Sequence, residues 1–290
     1  MHPLLRQVAY QTLIPALHAL TRARVALDLR RADPEARRLL AVLARTLRDD
    51  FTAEERGWFE RAEALRTALS LSNELVQLID YGAGSPDSNR SAEEMQRGVA
   101  FSATVGEICR RASKSPFWAR LLFALVREYQ SRNGVELGTC LGVSAAYQGA
   151  ALALGPQPAS LVTMEGAPEL AVRAQRNLDA VGLGHVARVV TGRFDQTLPP
   201  LLADTRQIDY AFIDGHHDGQ ATIDYFSALK PRLAPGALLV FDDIAWSPGM
   251  KRAWQTICAD SCFAVTLDLH TVGIGVIGAS GSRHYRYYLR

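Results

Sequence analysis

The chain has 290 residues, 48 % of them apolar and 21 % charged, the balance of a soluble globular protein with a full-sized core. Its formal net charge of +2 gives no reason to expect a nucleic-acid or membrane partner. Cys109, Cys140, Cys258 and Cys262 form no C-x-x-C pair, which argues against a structural zinc site and a disulfide framework.

Near the N-terminus, Arg6, Gln7, Gln11, Pro15 and His18 interrupt the apolar residues, so neither a signal peptide nor a membrane span is expected and the chain is read as cytoplasmic. Lysine occurs only as Lys114, Lys230 and Lys251, a bias read as that of a GC-rich bacterial genome. Residues 1–80 read as helices only. "PEARRLLAVLARTLRDD" and "TAEERGWFERAEALRTALS" repeat apolar residues at helical spacing, and Thr52 with Glu55 forms a capping box for the second. The arginines of "TRARVALDLRR" read as a solvated helix face. "YGAGSPDSNR", Tyr81 to Arg90, reads as a loop and marks a domain joint. It separates a helical N-terminal region, 1–80, from a linker with leading helices, 81–133, and a catalytic domain, 134–290.

From Gly134 the period changes. Strands are expected at Val135–Gly138, Ser160–Glu165, Ala187–Thr191, Ile208–Asp214 and Ala237–Asp242. Helices are expected at Ser144–Ala153, Pro168–Ala180, Phe194–Leu202, Gly219–Leu229 and Pro248–Ala259. This alternation predicts an α/β fold with a Rossmann-like, doubly wound parallel sheet. "FAVTLDL" and "VGIGVIG" are separated by His270 and Thr271 only, too few residues for a crossover helix. They predict a terminal antiparallel hairpin, making seven strands.

Ligands of such sheets bind beyond the carboxyl ends of the strands. There the sequence places Glu136 and Gly138, then Glu165, then Gly192 and Asp195, then Asp214 with His216 and His217, then Asp242 and Asp243. Gly138 permits a tight turn and Gly142 a close backbone approach, while the helix opening at Ser144 offers free N–H groups to a carboxylate. Glu165 is placed to accept ribose hydroxyls. A dinucleotide fold would need G-x-G-x-x-G, which "GTCLGVS" lacks, and no P-loop occurs. "HHD" contains the H-x-D of non-haem iron sites, but an alternating strand–helix chain is a poor host for one.

"VELGTCLGVSAAY", "LVTMEGAPELAVRAQRNL", "GRFDQTLP", "IDYAFIDGHH" and "LLVFDDIAW" together resemble the motifs of class I S-adenosylmethionine-dependent methyltransferases. The branch they look like holds catechol, caffeoyl-CoA and bacterial antibiotic-sugar O-methyltransferases. "DYGAGS" is similar to a segment ahead of the core in bacterial members. The resemblance implies that Glu136, Gly138 and Ser144 hold the methionine end of S-adenosylmethionine, that Glu165 takes the ribose, and that Gly192, Phe194 and Asp195 border the adenine. It implies a divalent cation, usually magnesium, on Asp214, Asp242 and Asp243, and a base at His217 or His216. Trp246 is read either as a wall of the substrate pocket or as core. The expected acceptor is a hydroxyl of a small molecule and the expected assembly a homodimer. Metal-independent N- or carboxyl-methylation, a nicotinamide-dependent oxidoreductase and a cofactor-binding scaffold are the alternatives.

Overall fold

A computed structural model of the chain describes residues 17–84, 90–204, 207–278 and 283–289. The first described helix, α1, covers residues 17–29. Asp33 then caps α2 (Pro34–Leu47), accepting from Ala36 N at 2.9 Å. The capping box predicted for α3 (Ala53–Ser70) is formed, with Glu55 N donating to Thr52 Oγ1 and Thr52 N to Glu55 Oε2. After it come β1 (Leu75–Asp80), the short α4 (Ala92–Arg97), β2 (Val99–Thr104), α5 (Val105–Ala112) and α6 (Pro116–Tyr129).

The expected alternation follows closely. It runs β3 (Asn133–Leu137), α7 (Val143–Ala153), β4 (Ser160–Glu165), α8 (Pro168–Ala180), β5 (Ala187–Thr191), α9 (Phe194–Asp204), β6 (Ile208–Ile213), α10 (Gly219–Leu229), β7 (Leu233–Phe241) and α11 (Pro248–Cys258). The chain closes with β8 (Phe263–Asp268), β9 (Gly273–Ile277) and β10 (Arg283–Arg286). Strand order in the large sheet is β10-β8-β9-β7-β6-β3-β4-β5, with β3 to β7 parallel and β9 antiparallel to both β7 and β8. The order reverses between β3 and β6, so the crevice where such a sheet takes a ligand lies beyond their carboxyl ends.

Two expectations need correction. The large sheet has eight strands, because "RHYR" adds β10 parallel to β8. Four mostly exposed polar residues give no apolar alternation from which to read a strand. Residues 75–80 are not helical. "LVQLID" buries Val76 and Leu78 on one face and pairs antiparallel with β2 in a separate two-stranded sheet. The predicted 81–90 loop lies in the β1–β2 connection, but its residues 85–89 fall outside the described residues.

Helices pack on both faces of the sheet. On one, Phe59 of α3 meets Phe51 and Phe123 edge-on at 4.9 and 4.8 Å and stacks on Tyr147 of α7 at 5.4 Å. The Tyr147 hydroxyl donates to Glu63 at 2.7 Å, tying α3 to α7. On the other, Phe226, Phe241, Trp254 and Phe263 form a second aromatic cluster. A third core joins Val76, Leu78, Val105 and Ile108 to Leu141, Val143 and Leu170, which fixes the small sheet over the end of β3. Among the described residues no helix is long and apolar enough to cross a membrane.

Candidate active site

Backbone conformation marks the rim first. Gly138, Cys140 and Gly142 follow β3, Gly192 follows β5, His216 and His217 follow β6, and Asp243 follows β7, all at positive φ. For the four non-glycine residues that conformation costs roughly 1–3 kcal/mol each, and such strain gathers at functional sites. Gly138 is required sterically, since a Cβ there would stand 2.1 Å from the Asp214 carbonyl oxygen. Its absence lets the ends of β3 and β6 close on each other. Above this rim lies a cavity of about 650 Å³, within the range of small-molecule sites. Rim residues, α5 and the small sheet enclose it.

At one end, Glu165 closes β4. Cys140 N and Ala167 N each donate to its carboxylate at 2.8 Å, which orients it toward the cavity. Burial outweighs those bonds and pushes its pKa up to about 7. Gly138, Ser144, Phe194 and Asp195 also line the cavity. Asp195 is held by both ends of the Arg193 guanidinium, and Phe194 meets Tyr225 edge-on.

Three residues expected on the cofactor do not reach the wall. Glu136 is 0 % exposed, because β3 is buried on both faces. It accepts from Gln148 Nε2 at 2.6 Å and Thr163 Oγ1 at 2.5 Å, and Thr163 in turn bonds Thr139. Burial raises its pKa. Glu136 therefore braces the turn from beneath. Gly142 opens α7 in left-handed geometry and gives room to the α8 backbone at Ala174. Gly192 gives room to the Thr197 side chain.

At the other end, Asp214, His216, His217, Asp243 and Trp246 line the cavity. Trp246 is thus a wall residue, its ring 5.5 Å from that of His217. His217 Nδ1 lies 3.6 Å from Asp243 Oδ2. His216 Nδ1 pairs with the Tyr225 hydroxyl at 2.7 Å, and burial lowers the pKa of its imidazole. Burial also raises Asp214, to about 6, despite the Lys114 ammonium 3.2 Å away.

The expected metal set does not assemble. Lys114 Nζ contacts Asp242 Oδ2 as well as Asp214, so these two acids face an ammonium. Asp242 is 4 % exposed and off the cavity wall. A different trio, Asp214, His217 and Asp243, brings one ligand atom each to within 4.8 Å of one another.

Sequence reasoning missed Lys114, which lies in a helix–helix connection far upstream of the acids; its rarity as a lysine was the available signal. It also missed the role of the 80–84 segment. Ala83 N donates to the His216 carbonyl at 2.7 Å, and Arg90 bonds Asp80 and the Gly82 carbonyl, so this loop is fastened over the histidine turn. Ile79, Met95 and Phe101 give the cavity an apolar side that the helical expectation for 75–80 could not show.

Residues 135–244 match the family described as "Methyltransferase domain", the stretch that holds most of the motifs with that resemblance. Among curated relatives, a catechol O-methyltransferase of Niastella koreensis is 33 % identical over 133 residues, 46 % of this chain and 58 % of that protein. A catechol O-methyltransferase of Mycobacterium tuberculosis is 28 % identical over 164 residues, 57 % of this chain and 71 % of that protein. The chain thus spans little more than half the length of the first of these. Among solved structures, the O-methyltransferase from Bacillus cereus in complex with S-adenosylhomocysteine superposes with a TM-score of 0.52 at 22 % identity, covering 58 % of this chain and 83 % of that one. An O-methyltransferase from Streptomyces achromogenes involved in tomaymycin synthesis, in complex with S-adenosylmethionine, gives 0.51 at 23 %, covering 58 % and 82 %. At these identities the likeness establishes the fold alone.

Proposed function

We propose that the protein transfers a methyl group from S-adenosylmethionine to a hydroxyl of a small molecule. One observation carries the reading: a single cavity holds a fixed carboxylate, Glu165, at one end and an imidazole beside a carboxylate, His217 with Asp243, at the other. Glu165 suits two ribose hydroxyls, and the N–H groups opening α7 suit the methionine carboxylate. Phe194 and Asp195 border the adenine. In its neutral form the His217 imidazole takes the acceptor's O–H proton. The oxygen lone pair forms the new bond to the methyl carbon, the carbon–sulfur pair returns to sulfur, and the products are an ether, S-adenosylhomocysteine and an imidazolium. The cavity aligns the two reactants, which is the larger part of the catalytic effect. His216, bound to Tyr225, positions the turn.

A divalent cation such as magnesium, held by Asp214, His217 and Asp243, is the second reading, favoured by the clustering of those three ligand atoms. Bound there, it would lower the pKa of an acceptor hydroxyl. We also read the chain as a cytoplasmic homodimer whose N-terminal region, helical before β1, lies ahead of residue 81, with a linker to 133 and a catalytic domain beyond. Exposed Leu71 and Leu75 support a contact surface, and sedimentation velocity tests it.

Calorimetry with S-adenosylhomocysteine and with NADH tests the cofactor class; binding of NADH alone overturns the proposal. Mass spectrometry after incubation with S-adenosylmethionine and a panel of hydroxyl compounds headed by catechol reads the transfer. His217→Ala is expected to lower turnover by roughly 10²–10⁴-fold and to leave S-adenosylhomocysteine affinity within about twofold. Loss of transfer in chelator, restored by magnesium, supports the second reading.

A further inference from the structure

We propose that the Lys114 ammonium is the resident cation of this site, taking the place a divalent ion would occupy between Asp214 and Asp242 and steadying the acceptor oxygen during transfer. The inference rests on the methyltransferase reading above.

The connection Ser113–Ser115 between α5 and α6 carries Lys114 across the ends of β6 and β7. There Nζ stands 3.2 Å from Asp214 Oδ1 and in direct ion contact with Asp242 Oδ2. All three side chains are largely buried. Apart from the Lys114 ammonium, no donor reaches Asp242 Oδ2 among the described residues, which leaves that ammonium as its charge partner there. A buried carboxylate needs such a partner. A divalent ion bridging the same two acids would need their oxygens at about 2.0–2.6 Å, in the volume the ammonium fills. The two cations exclude each other.

Lys114 also lines the cavity beside His217, so its charge faces the acceptor end. As the acceptor O–H yields its proton to His217 and the oxygen lone pair forms the bond to the methyl carbon, the ammonium offsets the negative charge on oxygen. It keeps its own protons throughout. The other lysine with a defined partner, Lys230, pairs with Asp260 on the surface.

The test uses the full chain and Mn²⁺ followed by electron paramagnetic resonance, for the wild type and Lys114→Met, with S-adenosylhomocysteine calorimetry on each. Removing the ammonium leaves the acids without a counter-ion. Lys114→Met should therefore bind Mn²⁺ at least about tenfold more tightly than the wild type. Wild-type transfer to the active hydroxyl probe should persist in chelator. Equal Mn²⁺ affinities, or tight Mn²⁺ binding by the wild type, overturn the inference. Should Lys114→Met fail to fold, the wild type and Asp242→Asn decide: weak Mn²⁺ binding unchanged by Asp242→Asn supports Lys114, and tight wild-type binding that this substitution weakens overturns it. Failure to bind S-adenosylhomocysteine overturns the methyltransferase reading instead and leaves the Mn²⁺ comparison intact.

Discussion

Glu165 is a half-buried carboxyl raised to about 7 by desolvation, although two backbone N–H groups favour its charged form. Ribose hydroxyls donate to the ionised carboxylate, so cofactor binding draws the group toward ionisation. Affinity for S-adenosylhomocysteine should rise as pH climbs from 6 through 7 and level off by 8, by up to roughly tenfold. Calorimetry at those pH values reads it, and Glu165→Gln should bind more weakly with a flat profile. For folding, the raised value has the opposite sign. Stability falls as pH rises from the unfolded carboxyl's range through 7, because the unfolded chain ionises first. Beneath the site, Thr163→Val strips Glu136 and Thr139 of a shared partner and should cost about 1–3 kcal/mol, read as a lower urea midpoint. That Glu165, Asp214, Asp243 and the histidines line one cavity is legible because each sits where a strand must end. The same logic points Glu136 at the ligand. A strand buried on both faces gives no periodicity to say which way its acid points.

Elements were legible where local chemistry is strong. Thr52 and Glu55 specify their capping box unaided, and the helices Pro168–Ala180 and Gly219–Leu229 have the bounds the sequence predicts. The β1–β2 sheet was not, because its two strands are separated by 18 residues that include a helix. Its pairing depends on contacts with Leu141 and Leu170, far along the chain. Gly98 turns into β2 at φ 79°, and a Cβ there would lie 2.2 Å from Ile79 Cγ2. Gly98→Ala should therefore push the two strands apart over the cavity. The expected outcome is faster proteolytic cleavage between 80 and 98 and weaker cofactor binding, with the main thermal transition shifted little; limited proteolysis with calorimetry checks it.

At the scale of the molecule, the helical N-terminal region shares one apolar core with the sheet's covering helices. Phe59 packs simultaneously on Phe51, Phe123 and Tyr147. Phe59→Ala should destabilise the whole protein by about 3–5 kcal/mol, seen as a lower midpoint of a single denaturation transition; a second transition would show that the regions unfold separately. The sequence allowed the α/β class and the site's rim to be read, but not this union, since neither aromatic partner on α6 or α7 reveals from its own neighbours that α3 will cover it. One contact spans nearly everything: the Tyr287 hydroxyl donates to Asp28 on α1 at 2.6 Å, across 259 residues. During synthesis α1 leaves the ribosome on the order of tens of seconds before its partner exists. Its docking face must stay unclaimed for that interval, so this closure comes long after α1 itself is made.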